Sequence, residues 1–308
     1  MDRLRAMSTF VRVVETGSFS AVAREQNSTQ SAVSKQVAAL ERALGAKLLN
    51  RTTRSLALTD DGTRYFENAR RLVAEIADAE SALRRGEQQL TGWLRVGASV
   101  GYGGRVLMPL MQSILAEYPG LKIDLKLNDG FIDLVEEGID VAVRIGDLVD
   151  SSLVARRVAT TYRALVASRH YLRSLPKTLR SLREPSDLVH HNCIVYTELA
   201  TRNEWVFAAG SGADAPLGST QSVRVHGNLQ TNSSESVRAA VLGGMGISYA
   251  PKWHFSEEIK SGEVQVLLPE WLSQPVPVHL VSPLQRRYVA KVKVFGDYVA
   301  QRLAMAEK

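Results

Sequence analysis

Apolar side chains recur every three or four residues in two stretches near the start of the chain. The first stripe comprises Leu4, Met7, Phe10, Val11 and Val14. The second stripe comprises Val33, Val37, Leu40 and Leu44. Because this spacing lines one face of a helix, each stretch is predicted to form an amphipathic helix.

Short polar breaks separate these helices. Gly17 ends the first helix, Ser18 is the predicted N-cap of a short helix after it, and Ser28 is the predicted N-cap of the helix carrying the second stripe. Gly45 ends that last helix as a C-terminal signal. Two short helices joined by a tight polar turn, the second amphipathic and cationic, are typical of a helix-turn-helix.

The helix that follows Ser28 carries hydroxyl, amide and cationic groups on the faces that its apolar stripe leaves free. Such groups reach base edges and phosphates in the major groove of DNA. We therefore predict DNA contacts from Thr29, Gln30, Ser31, Ser34, Lys35 and Arg42. The alternative for this face is an ordinary solvated surface.

Residues 47–59 alternate leucines with small or polar partners, which predicts a short hairpin. Its tip consists of Arg51, Thr52, Thr53 and Arg54. A basic hairpin beside a recognition helix forms a wing, and its arginines meet phosphates or a narrowed minor groove. The alternative for each arginine is a solvated turn residue.

A long helix is predicted after Thr59, which is its N-cap, with Asp60 and Asp61 in the first turn where the helix dipole favours negative charge. A coiled-coil-like seam is predicted from the spacing of the apolar residues Phe66, Ala69, Val73, Ile76 and Leu83. This seam predicts a dimer, which would present two recognition helices to two half-sites. The alternative is that the helix packs against its own domain.

The second half of the chain alternates strands with helices. Strands are predicted over 94–99, 121–129 and 139–147, with a helix over 104–120 and a short helix over 130–138. The same alternation continues to the C-terminus and indicates an α/β domain. The predicted strand ends are rich in hydroxyls, amides and glycines, which suits a small polar or anionic ligand. Ordinary capping and turn chemistry is the alternative for any one of these residues.

Length, composition and charge agree with this organisation. The 308 residues predict two or three domains, and 45% apolar residues are ample for packed cores. No apolar run is long enough to span a membrane, the N-terminus lacks the features of a signal peptide, and the one cysteine, Cys193, excludes an internal disulfide. Residues 1–58 contain nine Lys or Arg against four Asp or Glu, so the positive charge is concentrated there, as in a nucleic-acid-binding domain.

Sequence motifs of catalysis are missing. The segment GYGGR at 101–105 lacks the spacing of a dinucleotide fingerprint, and neither a phosphate loop nor a G-x-S-x-G elbow is present. His190 and His191 lie in a polar segment without carboxylates at metal-ligand spacing, and Cys193 is interpreted as a buried strand residue. The protein is therefore predicted not to be an enzyme.

A dense set of motifs covers residues 10–62. It includes FVRVVETGSFSAVA, SAVSKQVAALERALG, LLNR and LTDDG. These motifs closely resemble the N-terminal domain of LysR-type transcriptional regulators, and the order of strands and helices in the rest of the chain is similar to the effector domain of that family. Two residues depart from the family pattern: Val22 stands where alanine is usual and Gln26 where leucine is usual, which predicts a small loosening of the packing of the first helix.

The resemblance implies an α/β fold class with an N-terminal winged helix-turn-helix and a long linker helix, followed by a two-lobed effector domain like the type 2 periplasmic binding proteins. The implied domains are 1–59 for DNA binding, 60–90 for the linker and dimerisation helix, and 91–308 for effector binding. Within the effector domain, lobe I is expected over 92–162 and 268–308, and lobe II over 163–267.

The resemblance also implies function. It implies a bacterial regulator that binds double-stranded promoter DNA as a homodimer or tetramer in the cytoplasm, at the nucleoid, with RNA polymerase as a further partner and without membrane contact. It implies no cofactor and no metal, but a small-molecule effector. Because effector contacts in the family come from strand ends, the expected effector residues are Ser99, Tyr102, Asn128, Thr197 and Asn232.

Two other classes of protein stay open at this point. One is a solute-binding protein or carrier whose N-terminal helices serve only for assembly, and the other is an α/β enzyme. The missing signal peptide and the basic segment 28–54 count against a carrier, and the lack of a nucleophile–base pair counts against an enzyme. Salt-dependent binding to duplex DNA separates a regulator from both, because phosphate contacts release counterions.

Overall fold

The computed structural model describes residues 2–51, 56–83, 90–148, 153–287 and 289–306. The chain divides into two compact units, Met1–Gln88 and Gln89–Lys308, each with a hydrophobic core of its own. Among the described residues, no helix has both the length and the apolar character needed to cross a membrane.

The N-terminal unit combines helices with one small hairpin. Its elements are α1 (Arg3–Thr16), α2 (Phe19–Glu25), α3 (Gln30–Leu44), β1 (Leu49–Arg51), β2 (Leu56–Leu58) and α4 (Asp60–Leu83). The two strands are antiparallel. This order of elements is the winged helix-turn-helix that the sequence predicts, with α3 as the recognition helix.

Side-chain caps set the ends of the N-terminal helices. Ser18 caps α2 as predicted. The predicted cap of α3 is wrong by one residue, because Thr29, not Ser28, accepts the hydrogen bond of the Ala32 N–H, at 3.2 Å. Ser28 instead completes the end of α2, where its own N–H donates to the Ala23 carbonyl at 2.8 Å.

The apolar stripes of α1 and α3 meet in one core. Val37 and Leu40 of α3 are fully buried there, as is Phe10 of α1. The first half of α4 belongs to the same core, since the Phe10 and Phe66 rings meet edge to face with centroids 6.3 Å apart and Ala69 is buried. Burial of these side chains fixes the orientation of α3 within the unit.

The predicted seam of α4 has two parts. Phe66 and Ala69 pack inside their own unit, as the alternative interpretation of this helix expected. Further along, Ile76 of the predicted seam exposes 38% of its surface, and Leu72, which the predicted seam does not include, exposes 42%. The side chain of Leu83 lies outside the described residues, and dimerisation through α4 stays a prediction.

The first turn of α4 lies directly against the chain that leads into the wing. The Thr59 hydroxyl caps α4 as predicted, accepting from the Gly62 N–H at 2.8 Å, and it donates to the Lys47 carbonyl at 2.6 Å. A methyl group at Gly62 would stand only 2.0 Å from the carbonyl oxygen of Leu48. Only glycine therefore permits this close approach between the two backbones.

The C-terminal unit is a mixed α/β structure. Its helices are α5 (Val100–Tyr102), α6 (Met108–Glu117), α7 (Arg169–Ser174), α8 (Ser234–Leu242), α9 (Ser256–Ser261) and α10 (Ala290–Ala306). Its strands are β3 (Gly92–Ala98), β4 (Leu121–Leu127), β5 (Val141–Ile145), β6 (Leu153–Thr161), β7 (Arg163–Ser168), β8 (Cys193–Tyr196), β9 (Glu204–Ala209), β10 (Thr220–Arg224), β11 (Leu229–Thr231), β12 (Ile247–Pro251), β13 (Val264–Leu267), β14 (Trp271–Leu272) and β15 (Val276–Pro283).

Two five-stranded sheets organise this unit into two lobes. The sheet of the first lobe has the order β4-β3-β5-β15-β6, and the main sheet of the second lobe has the order β11-β8-β12-β7-β13. A smaller sheet, β10-β9-β14, also belongs to the second lobe. Within each five-stranded sheet, parallel neighbours occupy one side and antiparallel neighbours the other.

The chain passes from the first lobe to the second at Tyr162, between β6 and β7, which matches the predicted crossing. The return of the chain from the second lobe to the first, predicted at residue 268, comes later in the structure. Leu268 is buried in the core of the second lobe, and Trp271 and Leu272 pair with β9. The return falls after Leu272, because these apolar residues close the small sheet before the chain re-enters the first lobe.

Two local predictions in the first lobe also need correction. The segment predicted as one helix over 104–120 begins earlier, with α5 and a π-helical turn at Gly103–Leu107 before α6. The short helix predicted over 130–138 is wrong. The chain there makes turns, with the Asp133 carboxylate accepting the N–H groups of Val135 and Glu136, and Gly138 in the left-handed conformation at φ 63° stops a helix from continuing.

Substitution of Gly62 by alanine is expected to destabilise the N-terminal unit by about 1–3 kcal/mol, because the new methyl group collides with backbone that has no room to move. Thermal unfolding followed by circular dichroism measures the effect. Gly104→Ala is the matched control, since a methyl group there meets nothing within 4 Å. Equal melting of the two variants would contradict the close-packing argument.

Candidate nucleic-acid interface and ligand cleft

The exposed face of α3 carries the residues predicted to contact DNA. Ser31, Lys35 and Arg42 are exposed, and their spacing of four and seven residues places them on one side of the helix. Ser34 is half-buried beside them. Within the described part of the chain, the Lys35 ammonium makes no hydrogen bond or ion pair, so it remains available to an external anion.

The two residues at the start of α3 have structural roles as well. Thr29 is the N-cap of the helix, and Gln30 accepts a hydrogen bond from the Ser20 hydroxyl of α2 at 3.2 Å. Both side chains are nevertheless exposed. The start of the recognition helix is therefore held against α2 while its polar surface stays open.

Gln26, which departs from the family pattern, is part of a buried polar network. Its amide donates to the hydroxyl of Thr9 at 3.1 Å, and that hydroxyl donates to the Gln36 side chain at 2.9 Å. Thr9 is completely buried. The Gln26 bond joins the end of α2 to α1, and the Thr9 bond joins α1 to α3, whereas the buried Gln26 Oε1 has no hydrogen-bond partner among the described residues. Val22 is fully buried in the core.

The wing hairpin is present, but its tip lies outside the described residues. Arg51 pairs with Leu56, and this is the pair of the two strands next to the residues that connect them. Thr52, Thr53 and Arg54 are not among the described residues, and neither is the side chain of Arg51. Their DNA contacts stay predictions.

Sequence reasoning missed Glu41, which joins the recognition helix to the wing. Its carboxylate is buried and accepts hydrogen bonds from the backbone N–H groups of Leu48, at 2.9 Å, and Leu49, at 3.3 Å. Lys47 pairs with the same carboxylate at 3.4 Å. The sequence did contain a signal for it. Glu41 follows Val37 by four residues and therefore lies on the apolar face of the helix, where a carboxylate needs a hydrogen-bond partner because it is not solvated.

A cleft of about 830 Å³ lies between the two lobes of the C-terminal unit. Its walls combine backbone and side chains of the first lobe, such as Ser99 and Val143, with those of the second, such as Tyr196 and Tyr249. This volume is within the range of small-molecule binding sites.

Two of the five expected effector residues, Ser99 and Asn128, line this cleft. Tyr102 does not, because its ring is buried in the core of the first lobe. Thr197 and Asn232 do not line it either. Tyr196 lines the cleft in place of Thr197, since successive side chains along extended backbone point to opposite faces. Ser234, at the start of α8, lines it in place of Asn232.

Asp129 connects the two lobes across the cleft. One carboxylate oxygen accepts from the Val100 N–H at 2.9 Å, at the start of α5 in the first lobe. The other accepts from the N–H and the hydroxyl of Ser234, at 2.7 and 2.8 Å, at the start of α8 in the second lobe. The neighbouring Asn128 accepts from the Gly130 N–H at 2.8 Å, which is the turn-stabilising role that the alternative interpretation expected.

Two arginines supply positive charge to the cleft. Arg144 donates to the Ile132 carbonyl at 2.6 Å and its guanidinium stands 4.5 Å from the centre of the Phe131 ring. Arg163 is the first residue of β7 and also lines the cleft. Burial lowers the pKa of both guanidinium groups below the usual value, because the charged form loses hydration.

His254 lies on the second-lobe side of the cleft, and its Nε2 is 3.2 Å from the Glu235 carboxylate. Burial is the largest influence on this ring and lowers its pKa, against the opposing effect of Glu235. Among the described residues, no group of three or more His, Cys, Asp or Glu side chains is arranged to hold a metal ion.

A winged helix-turn-helix in one unit and two lobes around a cleft in the other define the architecture of a two-domain DNA-binding regulator. Family comparison identifies which one. Residues 4–63 match the bacterial regulatory helix-turn-helix of the lysR family, and residues 87–304 match the LysR substrate binding domain. The chain belongs to the LysR family of transcriptional regulators, which are not enzymes.

Relatives match along nearly the whole chain. An uncharacterised HTH-type transcriptional regulator of Haemophilus influenzae is 33% identical over 95% of this chain and 98% of its own length. The HTH-type transcriptional activator AaeR of Escherichia coli is 35% identical over 96% of this chain and 92% of its own length. The structure of CrgA, a LysR-type transcriptional regulator from Neisseria meningitidis, covers 97% of this chain and 98% of its own, with 31% identity and a TM-score of 0.61.

Replacement of Glu41 by alanine is expected to weaken binding to duplex DNA and to reduce its dependence on salt. The change leaves two buried N–H groups unpaired, at a cost of roughly 1–3 kcal/mol each, and frees the wing from α3. Each phosphate contact that the wing loses lowers the salt slope by about 0.9. Fluorescence anisotropy at several salt concentrations measures both effects.

Glu41→Gln is the matched control, because its amide retains an oxygen that can accept from the Leu48 N–H. Circular dichroism separates a displaced wing from an unfolded unit. If the alanine variant bound DNA with the affinity and salt slope of the parent, Glu41 would have no role in positioning the wing.

Proposed function

We propose that this protein binds double-stranded promoter DNA as an oligomer and changes its arrangement on DNA when a small molecule binds between the two lobes. The observation that carries the proposal is the exposed polar face of α3, with Lys35 unpaired among the described residues, beside a hairpin that leads into two arginines. The apolar side of the same helix is buried in the core, so the polar side is the face available to DNA.

The oligomer is proposed to form through α4. Leu72 and Ile76 lie four residues apart on that helix and are partly exposed, which suits a short helix–helix seam. A dimer would present two copies of α3 to an inverted repeat, and two dimers would form a tetramer. Such a regulator acts at the nucleoid in the bacterial cytoplasm, where RNA polymerase is a further partner.

The effector site is proposed to be the interlobe cleft. A ligand that contacts both lobes changes the free energy of one arrangement of the lobes relative to another, and only such a difference can alter the oligomer on DNA. The cleft supplies both polar groups and apolar wall for this purpose. The effector is the one small molecule this proposal requires, and no cofactor enters it.

Binding to the duplex from just upstream of the protein's own gene tests the proposal. We expect sequence-preferring, salt-sensitive binding, and Lys35→Ala and Arg51→Ala are each expected to weaken it roughly tenfold through lost DNA contacts. Fluorescence anisotropy against a scrambled duplex at two salt concentrations is the measurement.

Lys260→Ala removes one lysine from the C-terminal unit and is the matched control for loss of a single positive charge. Circular dichroism shows whether each variant is folded. If both DNA-face variants bound promoter DNA like the parent, the assignment of this face would be wrong.

A further inference from the structure

Arg163 is a cleft cation for which the described residues provide no counter-ion. No hydrogen bond or ion pair from its guanidinium to another described residue is present, although its backbone N–H donates to the Ser273 hydroxyl at 2.9 Å. The groups with an electrostatic influence on it are the Tyr249 and Tyr196 side chains, which bear no charge at neutral pH. The other cleft arginine, Arg144, differs because it donates a hydrogen bond to a backbone carbonyl and makes a cation–π contact with an aromatic ring.

A partly buried guanidinium without a partner is unfavourable, because it loses hydration and gains no compensating hydrogen bond. The lowered pKa of Arg163 reports the same loss of hydration. An anion with two oxygens in one plane, such as a carboxylate, matches the fork of N–H donors and would restore both the charge balance and the hydrogen bonds.

The other position in the cleft that suits an anion is already filled. The starts of α5 and α8 offer backbone N–H groups, which attract negative charge, but the Asp129 carboxylate accepts from both of them. A second ligand carboxylate directed there would meet a like charge. Asp147 and Glu198, the other acidic residues of the cleft wall, are exposed to solvent.

The remaining cleft surface favours an apolar or aromatic body. The rings of Tyr196, Tyr249 and Trp253 line it on the second-lobe side, and Phe131 and Val143 line it on the first. These side chains are suited to covering a flat or hydrocarbon group while one charged group fixes its orientation.

We propose that the effector is a small monocarboxylic acid with an apolar or aromatic body, whose carboxylate pairs with Arg163. This inference rests on the proposed function only in taking the cleft as the effector site. Asp129 restricts the ligand to one carboxylate, and Arg163 makes the cleft select acids over neutral molecules of the same shape.

Isothermal titration calorimetry on the full-length protein tests this with matched pairs of probes. The pairs are benzoate with benzamide and hexanoate with hexanamide, and phthalate serves as the diacid. At least one acid is expected to bind tenfold or more tightly than its amide, because a charge-assisted pair replaces an ordinary hydrogen bond. Phthalate is expected to bind more weakly than benzoate.

Variants of Arg163 assign the effect to this residue. Arg163→Gln is expected to weaken binding of the acid at least tenfold and binding of the amide much less, because the glutamine amide can still donate to a neutral carbonyl. Arg163→Lys is expected to give an intermediate affinity for the acid because it keeps the charge but not the planar fork. Arg173→Gln, an exposed arginine of the same lobe outside the cleft, is the matched control. Circular dichroism melting shows that each variant is folded.

Three results would overturn the inference: equal binding of acids and amides, retention of acid affinity by Arg163→Gln, or no binding by either monoacid at millimolar concentration. Its failure is distinct from failure of the proposed function, because DNA binding is measured separately without any acid. Arg163→Gln is expected to bind promoter duplex like the parent. A parent that bound acids but not DNA would keep the ligand inference and reject the regulator.

Discussion

Burial of the apolar stripe of α3 is the constraint on which the N-terminal unit depends. Val37 and Leu40 are completely buried, so the helix has only one orientation that keeps them out of water. That orientation turns Lys35 and Arg42 to the surface. Glu41, in the last turns of the same helix, accepts a hydrogen bond from the Leu48 N–H and so holds the chain that enters the wing. One packing requirement therefore aligns the two parts of the predicted DNA surface.

In the C-terminal unit, the corresponding constraint is a charged interaction. Asp129 accepts hydrogen bonds from the first lobe at Val100 and from the second lobe at Ser234, so a single carboxylate spans the cleft. Such a contact holds the lobes at one separation and also removes a favourable anion position from the cleft. Arg163 is left as a cleft cation without a partner among the described residues. In the proposed effector site, connection of the lobes and selection of a ligand would thus be linked through the same distribution of charge.

Coupling between ligand and DNA requires that the ligand favour one arrangement of the protein over another. The cleft meets the structural part of this requirement, since its walls belong to both lobes. A ligand that touched only one lobe would have little means to alter their separation. The apolar ring surfaces of Tyr196 and Tyr249 lie in one lobe and Ser99 in the other, so even a small molecule bound in the proposed site would contact both.

The sequence alone determined the family, the winged helix-turn-helix and the exposed face of α3, because these depend on local helical periodicity, caps and dense short motifs. It also predicted the crossing between lobes at Tyr162. Only the tertiary structure decided which polar groups line the cleft. Asp129 and Ser234 are 105 residues apart in the chain, and their contact depends on how two sheets are placed. Whether Thr197 or its neighbour Tyr196 faces the cleft depends on backbone direction at the end of a strand, which composition does not specify.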